Sequence, residues 1–201
     1  MANNTPLGRR TRRHGLKAAL IAALSLYLGL ATTPPTLAAA SLPVQIDIPK
    51  IGAHAPIVPL GENDDGSMQA PDDPDTVGWF QPGVQLGSPG NLLLDGHVDW
   101  GGRLRVFGWL KQLEPGDTFQ ITSSEGEILT YQVTWTRLYD ADTAPVDEIF
   151  QQTSDEEVTL ITCGGAFDRS IHMYVSRWVV RGVRADLTTD PLVPSGSTGP
   201  F

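Results

Sequence analysis

Cys163 is the one cysteine of the chain, and its neighbours are those a nucleophilic thiol needs. It follows the apolar, β-branched run Val158 to Thr162 and precedes Gly164-Gly165. Such a run reads as a buried strand, so the thiol is expected where that strand runs out. Glycine lacks a Cβ, which lets another backbone come close to the sulfur at Gly164. After a loop through Asp168, a second strand is expected from Met173 to Val183, with Arg177 near its start. The thiolate is the reactive form of cysteine, and a nearby cation favours it. A lone cysteine after an apolar run can equally be a small buried hydrophobe, and Cys163 taken by itself fits both readings.

His97 repeats the arrangement. Asn91 to Asp95 is a short apolar strand, and Gly96-His97-Val98-Asp99 stands at its end. An imidazole there can move a proton to or from a reacting group near neutral pH. His97, Cys163 and Arg177 thus stand as acid or base, nucleophile and cation. Arg169 in the loop and Arg181 on the same strand parity as Arg177 are the other candidate cations. The order histidine before cysteine argues against a papain-like protease. No two histidines have a metal-ligand spacing such as His-x-x-x-His. One cysteine excludes an intramolecular disulfide and a Cys-rich metal site. Neither metal nor cofactor is expected.

The elements that must position these residues are mostly strands. In a chain of 201 residues, enough for one domain with a core, short apolar runs alternate with Gly, Pro, Asp and Ser, which favours a mostly β fold. Val44, Ile46 and Ile48 alternate with polar residues, and so do Leu129, Tyr131, Val133 and Trp135. Val77 to Phe80 and Thr118 to Thr122 are further strands, and Glu125-Gly126-Glu127 is a hairpin turn. Phe107, Leu110 and Leu113 fit a helical or 3₁₀ turn facing inward. Ala144 to Gln151 reads as a short helix with Thr143 as its N-cap. Glu62 to Asp75 is an acidic, Pro-containing surface loop. Its carboxylates suit a hard cation such as calcium in type, but their spacing does not fit an EF-hand loop, and solvated loop charges are the plainer reading.

Net charge is −9 despite a basic N-terminus, so the rest of the chain is more acidic still. This argues against nucleic-acid partners, which need clustered Lys and Arg. Arg9, Arg10, Arg12, Arg13 and Lys17 precede the apolar run Ala18 to Ala31, and Ala38-Ala39-Ala40 follows. Residues 1–40 therefore read as a secretory signal peptide or a retained membrane anchor with its basic end in the cytoplasm. Either way the protein is expected to be exported, membrane-anchored or secreted. Residues 41–186 form the expected domain, and the Pro, Gly, Ser and Thr-rich stretch 187–201 is expected to be disordered.

Thr159-Leu160-Ile161-Thr162-Cys163 matches the T-L-x-T-C signature of sortases, the transpeptidases of bacterial cell surfaces. Phe107-x-x-Leu110-x-x-Leu113-x-x-Gly116-Asp117 and Arg177-x-x-Val180-x-Gly182 also resemble that family. Pro71-Asp72-Asp73, Val77-Gly78-Trp79-Phe80, Gly96-His97-Val98-Asp99 and Cys163-Gly164-Gly165-x-Phe167-Asp168 are similar to class F sortases in particular. The resemblance spans roughly Val44 to Asp186. It implies a closed eight-stranded β-barrel with short helices or 3₁₀ turns and a groove at one end. It implies that Cys163 attacks the Thr–Gly carbonyl of an LPxTG-like sorting-signal peptide. An amine acceptor, from peptidoglycan or a pilin lysine, then resolves the acyl-enzyme. By position, Cys163 is the nucleophile, His97 the proton carrier and Arg177 the donor to substrate backbone or oxyanion, with Thr162 and Gly164 next to the substrate. Class F sequences often place their arginine where this chain has Val175; residues 175 and 177 share one face of a strand. An exported peptide- or wall-binding barrel without activity and a secreted cysteine hydrolase are the alternatives.

Overall fold

The computed structural model describes residues 41–187. The export segment expected over 1–40 and, apart from Leu187, the tail expected over 187–201 lie outside the described residues.

The alternation at the start of the domain produces β1 (Pro43–Ile48), with Ile46 and Ile48 fully buried. Val44 turns outward instead, because the pairing of β1 with a neighbouring strand shifts register between Pro43 and Gln45. A one-residue shift in a period-two strand moves a side chain to the other face. Residues Pro49–Ile51 then form a 3₁₀ turn closed by Gly52 at φ 66°, a left-handed conformation that costs glycine little. Next come β2 (Ala53–Leu60), β3 (Val77–Phe80) and β4 (Gly90–Gly96), then a small hairpin of β5 (Asp99–Trp100) and β6 (Arg103–Leu104). The remaining elements are β7 (Thr118–Ser123), β8 (Ile128–Asp140), α1 (Val146–Ile149), β9 (Glu156–Asp168) and β10 (Met173–Arg184).

Eight strands close into a barrel in the order β1-β2-β3-β4-β9-β10-β8-β7, completed by the β1–β7 pair. The expected mostly β, eight-stranded closed barrel is therefore the observed architecture. Closure pairs each of these eight strands on both sides, so the barrel itself offers no open edge to other chains. β4 and β9 are parallel, whereas β9 and β10 are antiparallel. The end of β4, the later part of β9 and the start of β10 thus lie at one rim. This topology gathers the chemistry of the molecule.

Inward-facing residues of every barrel strand fill one core, including Ile46, Trp79, Leu94, Phe119, Tyr131, Leu160 and Val180. Phe119 and Tyr131 stack at 5.4 Å. Phe107, Leu110 and Leu113 are buried as their spacing requires, around a 3₁₀ turn at Leu110–Gln112. These three side chains belong to the core of the barrel.

Two local expectations are corrected. Cys163 does not end its strand, because β9 continues to Asp168. Gly164 pairs with Ser176 and Phe167 with Tyr174, so Gly165 and Ala166 together oppose Val175. Gly165, at φ 74°, absorbs this bulge, and pairing resumes beyond it. The helix is one turn over Val146–Ile149 with Pro145 at its N-cap and no side-chain cap. Thr143 instead turns its hydroxyl to Asp140 Oδ1 at 3.4 Å. In the acidic loop, Asp65 and Asp73 accept hydrogen bonds from backbone N–H groups two residues on, and Asp75 pairs with Arg105. Asp65 and Asp73 are thus spent on the loop's own shape and Asp75 on tethering it to Arg105.

Candidate active site

Cα pairing sets Cys163 directly opposite Arg177 on β9 and β10. Opposed residues of adjacent strands project to the same face. The parallel β4–β9 ladder ends with Asp95 level with Ile161; His97 lies two residues past Asp95, just beyond the end of β4, and Cys163 two residues past Ile161. The three sequence candidates therefore converge at one rim, each on a different strand or strand end.

His97 is held by its own contacts and by those of Gly96 before it. A Cβ at Gly96 would come within 2.6 Å of the Phe107 ring, so only glycine lets that ring pack under the end of β4. The Thr162 hydroxyl donates to the Gly96 carbonyl at 2.6 Å, and the Phe107 N–H donates to the His97 carbonyl at 3.1 Å. His97 Nε2 lies 2.8 Å from the Pro71 carbonyl. A carbonyl only accepts, so this contact assigns the proton to Nε2 and leaves Nδ1 as the free nitrogen of the neutral ring. Trp100 meets the imidazole edge-to-face at 5.0 Å.

Cys163 is half-buried and unpaired. Burial pushes its thiol pKa up, the Arg177 cation opposes that rise, and the Asp95 and Asp99 carboxylates add to it. A thiol in this setting rests mainly as SH and needs a base at the moment of attack. Arg177 donates through Nη1 to the Tyr174 and Ser176 carbonyls, both at 2.9 Å. These bonds tie the guanidinium to the start of β10, beside the thiol.

Thr162 and Gly164 are at the site, but both are engaged within the chain. Thr162 is buried with its hydroxyl on Gly96. The space that Gly164 leaves open is filled by Trp178, whose Cδ1 lies 2.5 Å from where a Cβ would stand. Arg169 is exposed in the turn beyond the bulge. Arg181 is buried and donates to Thr159 Oγ1 at 3.1 Å and to the Ile149 carbonyl at 2.7 Å. Thr159 and Asn91 complete that knot, which straps α1 to the barrel wall away from the rim.

A pocket of about 270 Å³ opens at Cys163, walled by Val98, Phe107, Trp109, Tyr174 and Trp178 among others. Its apolar walls and single thiol suit an extended peptide with small or aliphatic side chains. Burial and a hydrogen bond to Asp99 push the Tyr174 hydroxyl pKa up, so Tyr174 stays a neutral donor over the pocket. The sequence pattern assigns no role at the site to Asp95, Asp99, Pro71, Tyr174 or Trp178. Strand parity with His97 was a signal for Asp95. Nothing in the sequence showed that the Pro71 carbonyl reaches the imidazole.

The sortase-domain family model matches residues 46–185, and the chain belongs to the sortase family. No curated protein matches it. Among solved structures it is similar to sortase A from Corynebacterium diphtheriae, a lid mutant, at 23% identity over 79% of this chain and 78% of that one, TM-score 0.55. It is also similar to a pilus-related sortase C of Group B Streptococcus, at 22% identity over 73% and 68%, TM-score 0.54. Sortase C-1 from Actinomyces oris matches at 25% identity over 71% and 74%, TM-score 0.52. Members of this family are cysteine transpeptidases.

Proposed function

We propose that this chain is an exported sortase, closest in its motifs to class F, that cuts an LPxTG-like sorting signal between Thr and Gly and passes the acyl group to an amine. The observation that carries this reading is the meeting of Cys163, Arg177 and His97 at one rim, with Cys163 and Arg177 paired across β9 and β10.

In the proposed reaction, Cys163 Sγ attacks the threonine carbonyl carbon while His97 Nδ1 takes the thiol proton. Arg177 turns donors to the developing oxyanion or the substrate backbone, where directed charge lowers the barrier. The tetrahedral intermediate collapses by breaking the C–N bond. His97 gives its proton to the leaving glycine amine, and a thioester remains on Cys163. An acceptor amine then attacks the thioester carbon, His97 takes its proton, and the Cys163 thiolate leaves and is reprotonated. Thr162 acts by fixing Gly96 and thereby His97, and Gly164 by admitting Trp178 to the pocket wall. The acceptor is an amine of peptidoglycan or a pilin lysine. Residues 1–40 place the enzyme outside the cytoplasmic membrane as a signal peptide or anchor.

The test is mass spectrometry of the protein after reaction with a panel of sorting peptides, with and without an amine acceptor. A thioester adduct on Cys163 that turns into an amide product only when amine is present supports the reading. Equal release to water in both cases would make the protein a hydrolase.

A further inference from the structure

We propose that Asp95 is a proton-dependent positioning residue of this site, whose ionised carboxylate holds the charged form of His97 in place during acyl transfer. The inference rests on the sortase reading above and goes beyond its three residues.

Leu92 and Leu94 of β4 point into the core, so Asp95 projects from the opposite face, which by alternation it shares with His97. One pleat separates them, about 7 Å along the strand. On one side Asp95 is level with Ile161 of β9, an apolar neighbour, and on the other with Gly78 of β3, which has no side chain. Leu93, one pleat back on the same face, is buried. Asp95 is thus half-buried in a mostly apolar niche. The charged and titratable groups that act on Asp95 are His97 beyond the end of its own strand and Arg177 on β10. It acts in turn on Cys163 of β9, as does Asp99 of β5.

This surrounding gives the carboxylate a specific job. Burial raises its pKa to about 6, and His97 and Arg177 pull in the other direction. Above that pH it is an anion one pleat from the ring that must become a cation when the thiol loses its proton. A negative charge so placed, poorly solvated and fixed by a strand, attracts the imidazolium strongly. The same charge disfavours the thiolate. Asp95 therefore acts on both partners of the transfer, opposing the thiolate of Cys163 and attracting the charged ring of His97. A carboxylate whose charge is poorly solvated, one pleat from a residue of the site, is a mark of functional placement.

The experiment compares wild type and Asp95→Asn over pH 5 to 9 in two measurements: kcat/KM for transpeptidation of one sorting peptide, and the rate of Cys163 alkylation by iodoacetamide. In wild type, kcat/KM should rise through an inflection near the Asp95 value of about 6. In Asp95→Asn that inflection should vanish, and kcat/KM at pH 7.5 should fall about tenfold, the order expected for one poorly solvated charge at this distance. Alkylation should shift to lower pH, since one carboxylate no longer opposes the thiolate. A residue that only supports the fold would move neither profile. A folded Asn variant whose kcat/KM profile superimposes on that of wild type overturns the proposal while leaving the sortase reading intact. Wild type that forms no product at any pH overturns the sortase reading, and this inference with it. If Asp95→Asn does not fold, ¹³C NMR of the Asp95 carboxyl in the otherwise native chain decides. A titration near pH 6 that moves in His97→Ala supports the coupling, and one that does not move overturns it.

Discussion

Arg177 and Cys163 face each other as Cα partners on β10 and β9, and Arg177 Nη1 is anchored on the carbonyls of Tyr174 and Ser176. The cation is thus part of the same two-strand unit as the thiol. Arginine offers a planar fork of donors, so two can hold the backbone while others meet an oxyanion; lysine offers one mobile point charge. Arg177→Lys should cut kcat/KM by roughly 10²-fold, the loss typical for one directed donor, with a thermal unfolding midpoint close to wild type. Arg169→Lys, in the exposed turn, should be near normal in both. Arg181→Lys should keep its rate per folded molecule but lose about 1–3 kcal/mol of stability, because bonds to Thr159 and Ile149 lose their geometry. Steady-state kinetics and urea unfolding of the three variants check this pattern. A crippled Arg169→Lys beside a normal Arg177→Lys would move the role to the turn.

Thr162 separates two meanings of being at the site. Its hydroxyl is buried and bonded to the Gly96 carbonyl at 2.6 Å. Thr162→Val keeps the shape and leaves that carbonyl without its partner, which costs about 1–3 kcal/mol. Because the bond fixes the residue before His97, kcat should fall while KM for the peptide stays near the wild-type value. A raised KM with unchanged kcat would instead show that the hydroxyl contacts substrate.

Asp95 also gives a dependence of stability on pH. Its pKa in the folded protein is raised from the ordinary 3.8 to about 6, so the folded state binds a proton that the unfolded state has lost across that window. The cost of the buried charge is complete above the folded value and absent below the unfolded one. Asp95→Asn should therefore be more stable than wild type at pH 7.5, by up to about 3 kcal/mol. The difference should fade as pH falls towards 4. Thermal unfolding of both proteins across this range is the measurement, and an Asn variant less stable than wild type at pH 7.5 would contradict it.

The barrel strands were legible because period-two alternation and Gly or Pro punctuation are local signals, as in Leu129, Tyr131 and Val133. The grouping of His97, Cys163 and Arg177 was legible through family motifs, and the β4–β9 and β9–β10 registers make it geometry. What escaped was non-local. The continuation of β9 past Cys163 depends on β10 supplying partners beyond a bulge at Gly165. Gly164 looked like space for a substrate, whereas Trp178, fourteen residues on, fills it. The Pro71 carbonyl on His97 comes from a loop with no pattern of its own.

The most direct test of the central claim is intact-protein mass spectrometry of residues 41–187 as wild type and as Cys163→Ala, after incubation with a sorting peptide and no amine. Wild type should gain the mass of the peptide acyl fragment up to threonine, lose it on adding an amine, and regain a free thiol. Cys163→Ala should show no adduct, with an unfolding midpoint close to that of wild type. An Ala variant that turns over the peptide at the wild-type rate, or a wild type that never carries the adduct with any peptide of the panel, would contradict the claim that Cys163 is the nucleophile of a transpeptidase.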